Sequence, residues 1–193
     1  MITRLGKTLR HVRSAFEELG LRWFLFGAQA VIAYGVVRST LDIDVTVDAG
    51  DLANATIVDA LVRQGFRPTE NDPAFVATSR VLPFEHRNGI PVDLVLSGPG
   101  FDGPIFDRAV RRKLGGVFVP VATAEDIVVM KVMAQRGKDL LDLQHLLFVN
   151  QHIAIDRVRE TLGHLEADLG QSDLLPVFEA ALKEARRPRG LKR

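Results

Sequence analysis

The chain has 193 residues, 25 basic and 24 acidic, a formal net charge of +1, and hydrophobic side chains at 47% of positions. That length suits one sizeable core, or a core with a helical appendage. Near-neutrality removes any global field drawing the protein to a polyanion, and the absence of cysteine excludes disulfides, zinc-thiolate sites and cysteine nucleophiles together.

From the amino end, Ile2, Leu5, Leu9, Val12, Phe16 and Leu19 recur at helical spacing among Arg and Lys. This predicts an amphipathic helix and no targeting segment. Arg22-Trp23-Phe24-Leu25-Phe26 reads as a buried strand that ends at Gly27-Ala28 and runs into a short helix to Tyr34. A glycine at such a junction is either a plain tight turn or a place where backbone N–H groups approach a phosphate. The run Thr40-Leu41-Asp42-Ile43-Asp44-Val45-Thr46-Val47-Asp48 then alternates polar and apolar residues. On a strand, Asp42 and Asp44 project from one side. They form either a solvated face or a pair of acceptors for a hard cation such as magnesium.

A helix is expected over 51–64, with Asp51 as N-cap and Gly65 as stop. Strands are expected near 74–81, 84–87 and 92–96, with Asn88-Gly89 as a hairpin signal. Asp93 lies inside the apolar run Ile90 to Leu96, so its carboxylate must face solvent or meet a cation. If one sheet holds both strands, Asp93 converges on Asp42 and Asp44 beside a phosphate-binding turn, which describes a two-metal phosphoryl-transfer site. Gly98-Pro99-Gly100 marks a loop, followed by a helix over 105–113, a strand over 117–121 and a capping signal at Thr123 with Asp126.

From there the pattern is helical: 127–134 and 140–148 broken at Gly137, then about 156–169 and 173–185, then a basic tail from Arg186 to Arg193 that reads as a solvated end. Lys131, on an otherwise apolar helix, either snorkels from the core edge or neutralises a phosphate. Lys138 and Asp139 read equally as helix-end charges or as site residues. The expected fold is α+β, a mixed β-sheet with flanking helices followed by a helical C-terminal half. Residues 1–122 would form the catalytic core, and 123–193 a helical region packed on it as one compact unit. No stretch reaches the ~20 apolar residues that span a bilayer, so a soluble, cytoplasmic protein without membrane partners is expected.

Phe26-Gly27-Ala28, Asp42-Ile43-Asp44-Val45 and Val92-Asp93-Leu94 resemble the DNA polymerase beta-type nucleotidyltransferase superfamily. Its pattern is a hydrophobic residue, Gly, Gly or Ser, a short helix, an Asp-x-Asp strand and a later third Asp. Phe26 to Val31 with Arg38-Ser39-Thr40 is closer still to the small AbiEii-like toxin nucleotidyltransferases, and Pro120 to Asp126, Lys131 and Arg136 to Asp142 are similar to their later helical block. The likeness spans about Trp23 to Leu147. One departure is Ala28, where a Ser or Gly is usual.

The resemblance implies transfer of a nucleoside monophosphate from a nucleoside triphosphate to an acceptor hydroxyl. Asp42, Asp44 and Asp93 would be the catalytic and metal residues, holding two Mg2+ ions. Gly27, Ala28, Arg38, Lys131, Lys138 and Asp139 would line the nucleotide. It also implies RNA as a candidate acceptor, the toxin role of a toxin–antitoxin pair, and an antitoxin partner. A tRNA end, a partner protein and a small molecule such as an aminoglycoside all present suitable hydroxyls. The rival readings are a catalytically degenerate protein of the same fold that binds a nucleotide or partner, and a metal-dependent nuclease.

Overall fold

The structure, a computed structural model, describes residues 1–70, 72–98 and 100–187. The chain divides into two compact units, Met1–Ala33 with Arg38–Thr123, and Tyr34–Val37 with Ala124–Arg193.

The first unit contains α1 (Arg4–Glu18), β1 (Arg22–Phe26), α2 (Gly27–Ala33), β2 (Ile43–Asp48), α3 (Asn54–Arg63), β3 (Phe66–Pro68), α4 (Pro73–Ser79), β4 (Val81–His86), β5 (Ile90–Leu96), α5 (Gly103–Arg108), β6 (Val110–Leu114) and β7 (Val117–Val121). The seven strands form one sheet in the order β3-β4-β5-β2-β1-β7-β6. β2 pairs parallel with β5 and β1 parallel with β7, and the remaining pairs are antiparallel.

Alternation decides which face is covered. Trp23, Leu25, Ile43, Val45, Val47, Val92, Leu94, Val119 and Val121 all point one way and are buried. α1 supplies the apolar stripe Leu9, Val12 and Phe16, and Phe16 meets Trp23 edge to face at 5.6 Å. Each such side chain contributes about 1.5–3 kcal/mol on burial. α1 is further tied to the β4–β5 hairpin, because buried Thr8 donates to Asn88 and His11 shares a 2.8 Å hydrogen bond with buried His86.

The second unit holds α6 (Ala124–Ala134), α7 (Gly137–Val149), α8 (Ile155–Leu169) and α9 (Leu174–Ala185). Ile127, Val128, Leu143, Leu146, Leu162 and Phe178 form its core. Tyr34–Val37 belongs here, since Asn150 Nδ2 donates to the Tyr34 carbonyl at 3.0 Å. The α+β fold read from the sequence is the fold observed.

Several expected elements differ, each for a local reason. The strand read over 74–81 is instead α4: Pro73 opens it, the Asp72 side chain accepts from Ala74 N at 2.9 Å, and Arg80 closes it at φ 57°. Asp51 is not an N-cap. It sits in the turn closed by Leu52 N to Ala49 O, so α3 starts only at Asn54. The helix read over 105–113 ends at Arg108, because the Gly115-Gly116 turn, with both φ positive, folds 110–114 onto β7 as a strand. β3 is a three-residue edge strand, too short to leave a period-two pattern. Pro99 and residues 188–193, including most of the basic tail, lie outside the described residues.

Candidate active site

The face opposite α1 carries the acids. β2 and β5 run parallel with Asp44 directly beside Asp93, and on the other side Asp44 pairs with Phe26 at the end of β1. Register partners share a face, so Phe26, Asp44 and Asp93 form a row, and each is half-buried. The strand read from Thr40 begins only at Ile43, which leaves Asp42 exposed just ahead of β2. Thr40 steers it, accepting from Asp42 N at its hydroxyl (3.3 Å) and from buried Gln29 Nε2 at its carbonyl (3.4 Å). Gln29 and Thr40 escape a reading of acids alone, although Thr-x-Asp is a local side-chain-to-backbone signal.

Gly27 opens α2 at φ +66°, and a Cβ there would lie 2.0 Å from Asp44 Oδ2. The Asp44 carboxylate therefore lies against the β1–α2 junction, and only glycine satisfies both the backbone angle and this approach. Ala28 follows, half-buried, and Arg38 is half-buried in the loop before β2. Burial raises the Asp93 carboxyl above the usual carboxylate range, and the charge of Asp42 adds to the shift. A hard cation would relieve both effects.

Among the described residues no three His, Cys, Asp or Glu side chains are already gathered as a metal-ligand set. The chemistry of the donors nevertheless fits one. Asp44 and Asp93 are adjacent, Asp42 acts electrostatically on Asp93, and all are acceptor-only oxygens of the kind Mg2+ takes.

The remaining expected residues lie in the helical unit. Lys131 is buried on α6, with Nζ donating to Asp139 at 2.6 Å and to Asp142 at 2.8 Å on α7. Arg136 Nε donates to the second oxygen of Asp139. Burial alone would raise the Asp139 carboxyl, but the bonds and charges of Arg136 and Lys131 hold it below its ordinary range. Lys138 is exposed, and it is Arg136 that reaches Asp139. The structure thus brings Asp42, Asp44, Asp93 and Gly27 together in one unit, and Lys131 and Asp139 together in the other. The partnership with Asp142 was legible only as an i,i+3 spacing from Asp139.

A family model described as "Nucleotidyl transferase AbiEii toxin, Type IV TA system" matches residues 12–191, nearly the whole chain. The chain belongs to the AbiEii nucleotidyltransferase family. No curated protein is significantly similar to it in sequence. Among solved structures, it is similar to ANT(2'')-Ia in complex with adenylyl-2''-tobramycin (14% identity, 83% of this chain and 96% of that chain, TM-score 0.57). It is also similar to the lincosamide antibiotic adenylyltransferase LnuA bound to lincomycin (17%, 76% and 98%, 0.52). A third is an antigenic nucleotidyltransferase-like protein from Paracoccidioides brasiliensis (16%, 95% and 94%, 0.51). At these identities the likeness establishes a shared fold. This AbiEii-family chain is accordingly a nucleotidyltransferase, and no helix among its described residues is long and apolar enough to cross a membrane.

Proposed function

We propose that the protein transfers a nucleoside monophosphate from a nucleoside triphosphate to a hydroxyl of an RNA acceptor, with magnesium dependence, as a cytoplasmic toxin enzyme countered by an antitoxin. The observation that carries the reading is the in-register pair Asp44 and Asp93, with Asp42 close enough to perturb Asp93, beside a glycine junction.

In this reading the acceptor oxygen forms a bond to the α-phosphorus as the bond to pyrophosphate breaks, and pyrophosphate leaves. Asp93, whose carboxyl is raised, is suited to take the acceptor proton. Asp42 and Asp44 would hold Mg2+ with Asp93, and the bound ions would supply Lewis-acid neutralisation of the phosphates. The backbone at Gly27 and Ala28 orients the triphosphate, and Arg38 adds positive charge from the adjoining loop. Lys131, Lys138 and Asp139 are proposed as nucleotide-binding residues on the strength of the family pattern they share.

A small-molecule acceptor is the second reading. It is supported by the adenylyl-2''-tobramycin held by ANT(2'')-Ia. Incubation with α-labelled triphosphates, Mg2+ and either RNA or tobramycin tests both. Label entering RNA with pyrophosphate release supports the first, label entering tobramycin the second, and phosphodiester cleavage without triphosphate consumption would turn the assignment to a nuclease.

A further inference from the structure

β6 is an outer strand of the sheet and carries three consecutive exposed cations, Arg111, Arg112 and Lys113. Charge on an edge strand guards against unwanted strand pairing, which accounts for the charge but not for its arrangement. The antiparallel register sets Arg111 against Pro120 and Lys113 against Phe118, while Arg112 stands with buried Val119 on the opposite face. Leu25 is the parallel partner of Val121. Val117, Val119 and Val121 therefore share the covered face of Leu25. Phe118, Arg111 and Lys113 fall on the other face, the one that presents Phe26, Asp44 and Asp93.

Phe118 is 49% exposed, and the Arg111 guanidinium lies 5.7 Å from its ring centroid. No ion pair engages Arg111 or Lys113 among the described residues. An exposed aromatic ring between two cations is the combination that stacks an unpaired base while holding its phosphates. Duplexes hide their base faces in the stack, so the chemistry selects a single strand. With an overall charge of only +1, this density of positive charge is a local feature. β6 lies three strand spacings from β2, about 14 Å across the sheet.

We infer that Arg111, Lys113 and Phe118 dock a single-stranded RNA on the face of the sheet that also presents Asp44 and Asp93. The inference rests on RNA being the acceptor, and adds where and how the strand is held.

The test is fluorescence anisotropy of the full chain with a short, unstructured labelled RNA across a salt series, paired with transfer kinetics. Arg111→Gln with Lys113→Gln should lower the slope of log affinity against log salt by about 1.4, two phosphates at about 0.7 each. Phe118→Ala should weaken binding by about 5- to 140-fold. Both should raise KM for RNA and leave KM for the triphosphate unchanged. Arg112→Gln, with the same charge on the opposite face, should do neither. If the double variant keeps its slope and RNA KM while RNA is still labelled, the docking surface is wrong and the RNA reading survives. If the wild-type chain neither binds nor labels RNA, both fall. Equal loss from Arg112→Gln, or variants that merely self-associate without any loss of RNA affinity, would also overturn the proposal.

Discussion

Replacing Lys131 by alanine should unfold the helical unit more readily, because its ammonium is the shared partner of two buried carboxylates. The Lys131 side chain is 8% exposed, Asp139 is 0% and Asp142 is 8%, with N–O distances of 2.6 and 2.8 Å. Removing one member of a buried ion pair costs about 3–5 kcal/mol, since the charge left behind is neither hydrated nor neutralised. Arg136 still reaches Asp139, which favours the lower end, about 3 kcal/mol. At a urea slope of about 2 kcal/mol per molar, the midpoint should fall by about 1.5 M in a far-ultraviolet circular dichroism titration. Adding Asp139→Asn and Asp142→Asn to Lys131→Met should recover most of the loss, because no uncompensated charge remains. A loss below about 1 kcal/mol in Lys131→Ala would refute the reasoning, and would mean that the carboxylates find water or another cation. The pH dependence has a definite sign. Asp139 is held below its ordinary value of 3.8, so its contribution is complete above that value and is lost as pH falls through the lower, folded value.

Asp44→Asn should abolish transfer while leaving the urea midpoint unchanged or higher, because the row of acids loses a charge. A variant that keeps more than a few per cent of the activity would show that Asp44 is dispensable. Asp93 titrates in the opposite sense to Asp139. Its folded value lies above 3.8, so the ionised form weighs against the metal-free fold at neutral pH. Asp93→Asn should therefore stabilise that form near pH 7 and give no gain below about pH 3.8, where both folded and unfolded chains are protonated. A pH series of melting temperatures without Mg2+ checks this. At the β1–α2 junction, Gly27→Ala meets both a φ of +66° and the Asp44 carboxylate, so it should cost more than about 1 kcal/mol and remove activity. Ala28→Ser should tighten triphosphate binding by about 0.5–1.5 kcal/mol if a side-chain hydroxyl is what the junction lacks. Calorimetric titration of both variants separates the two effects.

The acids and the glycine were legible because each leaves a local mark. Asp42-Ile43-Asp44 carries the strand period, Gly27 ends a β-rich run, and Asn88-Gly89 announces the hairpin that turns β4 into β5. That Asp93 stands beside Asp44 depends on β2 pairing with β5 across two intervening helices, two strands and a hairpin turn. Local pattern does not encode that pairing; it followed only from assuming a common sheet. The errors share a cause. Ala74 to Val81 has β-prone residues, but Asp72 and Pro73 cap a helix there. Val110-Arg111-Arg112-Lys113 has no apolar alternation, and becomes a strand only because a Gly-Gly turn brings it onto β7. The second misreading also concealed the alternation that separates Arg111 and Lys113 from Arg112. Lys131 was visible as an anomaly on an apolar helix, whereas its carboxylate partners required two helices to be placed together.

The most direct test of the central claim follows the α-phosphate and the pyrophosphate in one experiment. The wild-type chain and the three single variants Asp42→Asn, Asp44→Asn and Asp93→Asn would each be incubated with α-labelled triphosphate, RNA and Mg2+, with and without chelator. The account predicts that wild-type protein releases one pyrophosphate for each label transferred, that chelator stops both, and that each variant loses both while its circular dichroism spectrum is unchanged. Transfer that survives in Asp44→Asn, or release of orthophosphate in place of pyrophosphate, would contradict it.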